Sequence, residues 1–159
     1  MKIAIGCDEA AYKLKVDLIK HLQAKGFEVT DFGANEGEVV LYPDVAVAVA
    51  KAVAKGTFER AILVCGTGIG MSITANKVPG VRAAVCHDPF SAQRARKSND
   101  AQIICFGERV IGTELAKNLL DVWLESEFSG GGSTPKVNRI NEYEHEFMKE
   151  ENKRTSTQN

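Results

Sequence analysis

The chain has 159 residues, 44% of them hydrophobic and 26% charged, which suits one globular domain with a sizeable core. Twenty Lys and Arg stand against 21 Asp and Glu, so no basic surplus points to nucleic acid or an anionic membrane. The opening MKIAIGCDEA is too short and too soon charged for a secretory signal, and no apolar run nears the roughly 20 residues of a membrane span; a cytoplasmic protein is expected.

In chain order, KIAIGCD reads as a buried strand. YKLKVDLIKHLQAKG follows, with Leu14, Leu18 and Leu22 at four-residue spacing, lysines between them and Gly26 after the last, the pattern of an amphipathic helix with a glycine stop. FEVTDFG is a second strand, and a polar stretch then turns at Pro43. DVAVAVAKAVAKG alternates like a strand, but its length, its alanines and the closing Lys-Gly favour a helix. RAILVCG, GVRAAVCH and AQIICFG read as three more strands, separated by helices beginning at IGMSITANK and PFSAQRARKSN. TELAKNLLDVWLESEF is a long amphipathic helix.

Apolar strands alternating with helices five times imply a parallel sheet covered on both faces. The expected fold is therefore α/β: a doubly wound (Rossmann/flavodoxin-like) five-stranded parallel sheet with helices on both faces. Ligands in such folds sit at the carboxyl ends of the strands, here Gly6 to Glu9, Cys65 to Gly70, His87-Asp88 and Gly107 to Arg109. After Phe128 the composition changes. Residues 1–128 form the expected domain, SGGGSTPK opens a C-terminal arm over 129–150, and 151–159 reads as a disordered tail. The arm places Ile140, Tyr143 and Phe147 on one helical face with too little core of its own, so a partner subunit is expected to cover it.

The four cysteines, Cys7, Cys65, Cys86 and Cys105, form no C-x-x-C pair and lie in or beside apolar runs, as reduced thiols do. With three scattered histidines, no metal site is expected. Cys65 stands directly before Gly66, Gly68 and Gly70, where a strand passes into a helix. Backbone N–H groups converging there make an anion or oxyanion site. The loop lacks the Lys-Ser/Thr pair of a nucleotide P-loop. A thiolate among such donors can take a carbon-bound proton while they hold the resulting oxyanion. The same pattern also fits a small buried cysteine beside a tight turn.

The segments KIAIGCDEA, LYPD, ILVCGTGIGMSITANKVPGVRAAV, SNDAQIICFGERVIG and ELAKNLLDVWL together resemble the ribose-5-phosphate isomerase B and galactose-6-phosphate isomerase family, from about Met1 to Ile140. The resemblance implies aldose–ketose isomerisation of a sugar phosphate through an enediolate, with no metal and no cofactor. It implies Cys65 as the base, Thr67 at the sugar oxygens, and Asp8 and Tyr42 at the hydroxyls. The backbone from Gly66 through Gly68 and Gly70 to Ser72, with Asn99, would form the oxyanion hole. It further implies a homodimer with shared sites, in which the partner's arm supplies phosphate-binding cations. Arg109 matches a phosphate-binding position, and Lys136 falls where the family often has arginine.

Four departures stand out: Glu9 replaces a histidine, Ser98 replaces the histidine expected to open the sugar ring, the arm reads Gly131-Gly132-Ser133 without arginine or histidine, and His87 ends the fourth strand. Either His87 takes over ring opening, or the substrate has no ring to open, as with tetrose 4-phosphates. His87-Asp88 also has a plainer reading, with Asp88 as the cap of the next helix. Ribose 5-phosphate is the leading substrate, with a tetrose phosphate or a galactose-6-phosphate-type sugar as alternatives. A non-catalytic sugar-phosphate-binding subunit is disfavoured because Cys65, Thr67 and the three glycines are all present. A flavodoxin-like electron carrier is disfavoured because GCDEAAYK lacks a phosphate loop after the first strand.

Overall fold

The computed structural model describes residues 1–157. Five strands, β1 (Lys2–Cys7), β2 (Glu28–Asp31), β3 (Arg60–Cys65), β4 (Ala83–Val85) and β5 (Ile103–Gly107), form one wholly parallel sheet in the order β2-β1-β3-β5-β4. Six helices accompany them: α1 (Tyr12–Ala24), α2 (Tyr42–Ala54), α3 (Ile69–Ala75), α4 (Pro89–Lys97), α5 (Thr113–Leu124) and α6 (Thr134–Ser156). The expected doubly wound α/β architecture is what the chain adopts. The last strand does not add to the edge; it inserts between β3 and β4. Its residues explain why: Ile103 to Gly107 are all buried, whereas the three residues of β4 are only half-buried and suit an edge.

Alternation along the central strands divides the interior in two. Ile3, Ile5, Ile62, Val64, Ile104 and Phe106 pack against α1, α4 and α5 on one face. Ala4, Ala61, Leu63, Cys65, Ile103 and Cys105 pack against α2 and α3 on the other. The alanine- and valine-rich segment is indeed a helix, α2, with Val45, Ala46, Val49, Ala50 and Val53 inward. Among the described residues, no helix is long and apolar enough to cross a membrane.

Of the three buried cations among the described residues, Lys15, Arg60 and Arg96, the first two brace elements far apart in sequence. Arg60 donates to the Trp123, Leu124 and Ser126 carbonyls and pairs with Glu127, so it satisfies the open end of α5 where the arm departs. Lys15 sits among the leucines of α1 and is fully buried, although its position between them reads as a solvent face. Its ammonium donates to both Asp31 oxygens at 2.9 Å and to the Ala34 carbonyl at 2.6 Å, tying α1 to the chain beyond β2.

The arm differs from its expected form. α6 runs without interruption to Ser156, through Arg154 and Thr155, where a disordered tail from 151 is expected; residues 158 and 159 of that tail lie outside the described residues. Charged pairs spaced along one turn, such as Arg139 with Glu142 and Arg154 with Glu151, support it. It meets the body through Glu144, which accepts from the Gly80 N–H, and Asn141, which accepts from Arg82. Ile140, Tyr143, Phe147 and Met148 stay exposed along one side.

Lys15→Met keeps the length of the side chain but leaves the buried Ala34 carbonyl without its donor. Stability should fall by about 2–3 kcal/mol, the cost of an orphaned buried acceptor and a broken ion pair, read from urea unfolding.

Candidate active site

The order of the sheet fixes where a ligand fits. The chain leaves β1 toward β2 and returns to the other side of β1 as β3, so the helices after β1 and β3 part company at the carboxyl ends of these two strands. A cleft of about 400 Å³ opens there, lined by Asp8, Tyr42, Cys65, Gly66, Thr67, Ile69, Gly70, Ile73 and Arg109. A larger hollow of about 630 Å³ lies between the end of β2 and α2. Its lining carries Asp31, Glu38 and Asp44 and no cation, which suits neither phosphate nor the thiol chemistry.

Cys65 ends β3 and is 5% exposed, while Cys7, Cys86 and Cys105 are at or below 1%. The Gly68 N–H donates to the Cys65 sulfur at 3.1 Å, aiming its partial positive charge at the thiol. Gly68 has φ +77°, a conformation open to glycine, and a Cβ there would come within 2.9 Å of the Phe106 carbonyl carbon. Only a glycine lets the loop curl back onto its own cysteine. The N–H groups of Gly66 and Thr67 have no hydrogen-bond partner among the described residues and stand free for an oxyanion. The donors are loop amides; α3, at seven residues, contributes little dipole of its own. Burial pushes the Cys7 and Cys86 thiols up to about 11 and raises Cys105 as well, so these three stay protonated.

Asp8 caps the turn after β1 by accepting from the Ala10 N–H at 3.1 Å. Its carboxyl is held above the ordinary range, first by burial and then by the charge of Glu9; the Ala10 and Ala11 N–H groups and Arg109 oppose this. Arg109 reaches over the loop, where a Cβ on Gly66 would lie 3.3 Å from its Nη1. A Cβ on Gly70 would strike the Tyr42 ring, so Gly70 leaves the room in which Tyr42 leans over the cleft. Glu9 accepts from the Val40 N–H at 3.3 Å, which anchors the segment leading into Tyr42.

Eight of the twelve candidate residues thus meet at one place: Asp8, Tyr42, Cys65, Gly66, Thr67, Gly68, Gly70 and Arg109. Ser72 does not join them. Its N–H closes the first helical bond to Gly68 and its hydroxyl donates to the Ala83 carbonyl, so neither is free for a substrate oxygen. Asn99 lies on the loop after α4, where its carbonyl accepts from Arg82, and Lys136 is on the exposed arm; neither lines the cleft. His87 is also outside. Its Nε2 accepts the Gly107 N–H at 3.0 Å, and Asp88 caps α4 through the Ser91 N–H, as the plainer reading of this pair has it. Ile69 and Ile73, exposed on α3 with four-residue spacing, line the cleft and escape a search for polar groups. Among the described residues, no group of three or more His, Cys, Asp or Glu is placed to hold a metal ion.

The ribose/galactose isomerase family model matches residues 3–140. The chain is 57% identical over 147 residues to the D-erythrulose-4-phosphate isomerase of Pectobacterium atrosepticum, covering 92% of this chain and 97% of that one. It is 58% identical over 142 residues to the ribose-5-P isomerase B of Listeria innocua, covering 89% and 96%. Among solved structures, ribose-5-phosphate isomerase B of Clostridium thermocellum superimposes with a TM-score of 0.90 at 48% identity, covering 92% of this chain and 99% of that one.

The difference among the four thiols is measurable. Brief iodoacetamide treatment of the native protein should alkylate Cys65 ahead of the other three, read by peptide mass spectrometry; equal labelling would mean that the cleft does not single out Cys65.

Proposed function

The chain belongs to the ribose/galactose isomerase family, and we propose that Cys65 and the amides around it isomerise a sugar phosphate, with ribose 5-phosphate and ribulose 5-phosphate as the leading pair. The observation that carries this is the thiol at the floor of a cleft whose loop donors surround it, with one guanidinium at the rim. The Cys65 sulfur takes the proton from the carbon beside the carbonyl. The carbonyl oxygen gains charge as the enediolate forms and is held by the Gly66 and Thr67 N–H groups. The S–H then returns the proton to the neighbouring carbon, while the hydroxyl proton moves between the two oxygens. Asp8, protonated more readily than an ordinary aspartate, is placed to carry that second proton. Arg109 takes the phosphate.

A tetrose phosphate is the second reading, and Ser98 is the observation that favours it. Its hydroxyl accepts from Arg94 Nε at 2.8 Å, and a hydroxyl is a poor proton carrier near neutral pH. His87, the other candidate for ring opening, has its Nε2 engaged by Gly107. A tetrose 4-phosphate needs no ring opening. The relative from Pectobacterium bears the name of such an activity.

The homodimer is part of the same proposal. Asn99, Lys136 and the apolar stripe of α6 lie away from their own cleft, and a second copy seated across it would bring them to use. The protein then works as a cytoplasmic dimer.

Cys65→Ser should fold normally and lose about 100- to 10,000-fold in kcat, the contribution of a general base; near-normal turnover would overturn the assignment. Ribose 5-phosphate and erythrulose 4-phosphate should be compared on the wild type. A higher kcat/KM on the pentose supports the leading reading, and the reverse selects the second. Arg109→Ala should raise KM for the phosphorylated sugar far more than for the free sugar, and equal effects would remove Arg109 from the phosphate.

A further inference from the structure

Away from the cleft, one titratable ring is fastened to the strand end that carries the site. His87 follows β4, and its Nε2 accepts the Gly107 N–H at 3.0 Å. An accepting Nε2 requires the neutral ring with its hydrogen on Nδ1. Gly107 is where β5 touches the cysteine loop: a Cβ there would lie 2.7 Å from the Thr67 carbonyl carbon. The next two residues bind the same loop, since the Glu108 N–H donates to the Cys65 carbonyl and the Arg109 N–H to the Gly66 carbonyl, each at 3.0 Å. Turning the Gly107 amide would therefore move the support of Cys65, Thr67 and Arg109 together.

We propose that His87 is a positioning residue whose neutral Nε2 holds the Gly107 amide, and with it the Cys65–Thr67 loop and Arg109, and that protonation of the ring releases this hold and switches the site off. The cation would turn an N–H toward the Gly107 N–H, so contact and charge are incompatible. Burial lowers the affinity of the half-buried ring for a proton, and Asp88 beside it opposes that effect. α4, which begins at Pro89, carries its cations Arg94, Arg96 and Lys97 in its last turn. α3, which also packs on β4, has no titratable side chain; β5 offers Cys105, a neutral thiol, and then Glu108 and Arg109 beyond its end. The folded ring thus titrates below the ordinary histidine value. Activity is full above that point and falls as pH drops through it.

The role rests on the isomerase reading, so its test combines turnover with a readout that needs no substrate. His87→Gln keeps an acceptor near the Nε2 place but cannot titrate, and His87→Leu has none. H87Q should retain most of the turnover and lose the His87 step from the acid side of its pH profile. H87L should lose about 100-fold in kcat/KM at neutral pH, as a misplacement of order 1 Å does. In 15N NMR of the wild type, the imidazole should show the Nδ1–H form, and the Gly107 amide should shift with the ring's titration. If H87L matches the wild type in rate and pH profile, or if H87Q is as slow as H87L, the proposal is overturned. If H87L does not fold, the H87Q profile and the NMR titration decide it. Should the wild type turn over no sugar phosphate, the isomerase reading falls, and the Gly107 shift alone judges the His87 contact: movement with the ring upholds it, and none refutes it.

Discussion

The site depends on two strand ends that meet backbone to backbone. The loop leaving β3 and the end of β5 touch at Thr67, Gly68, Phe106 and Gly107, with no room for a side chain between them. A methyl group at Gly68 would run into the Phe106 backbone, and one at Gly107 would run into Thr67. This closeness lets the Gly68 N–H reach the Cys65 sulfur, while the Gly66 and Thr67 N–H groups have no hydrogen-bond partner among the described residues. It also requires β5 to lie beside β3, which is the reason the sheet order matters more here than the count of strands. The insertion of β5 between β3 and β4 is thus part of the chemistry and not a detail of winding.

Around this contact the charges divide the labour. Three thiols are buried until they no longer ionise, which leaves Cys65 as the one at a cleft. Asp8 and Glu9 stand in sequence, and burial and then the charge of Glu9 raise the cost of charging Asp8, against the Ala10 and Ala11 N–H groups and Arg109. A carboxyl in that setting takes a proton more readily than an exposed aspartate, which suits the oxygen-to-oxygen transfer proposed for Asp8. Glu9 is turned to a second task by its bond to Val40, so its charge is felt at Asp8 while its oxygen supports the approach to Tyr42.

Fold and site were legible to different depths. Period and composition were enough for the helices and strands, because apolar residues at Leu14, Leu18 and Leu22, or through Ala61 to Cys65, admit one buried arrangement each. The glycine turn pointed to Cys65 for the same reason: three glycines in five residues are uncommon unless backbone must approach backbone. The failures share a cause. Lys15 looks like a surface lysine because its partners, Asp31 and the Ala34 carbonyl, are sixteen and nineteen residues away. Ser72 looks available because its helical and Ala83 bonds cannot be read from a motif. His87 stands at the right edge of the sheet, yet the strand next to it, β5, arrives twenty residues later and takes its nitrogen. Local patterns carry local structure; the use of a polar group is decided by what the fold brings beside it.

The cleft of one chain leaves Ser72, Asn99 and Lys136 outside its lining. The Ser72 N–H and hydroxyl hydrogen are engaged by Gly68 and Ala83 within its own chain. Asn99 and Lys136 are different, for they are exposed and their side chains are not committed to the body. Apolar side chains are left exposed too: Ile140, Tyr143, Phe147 and Met148 on α6, and Ile69 and Ile73 at the cleft itself. Such residues gain by being covered, at about 25 cal/mol for each Å² of apolar surface removed from water. A dimer that buried both sets would close the open side of the cleft, exclude water from an enediolate and bring fresh polar groups to it in one event. The proposed sharing of sites between two copies therefore follows from where apolar surface is left over as much as from which polar residues are missing.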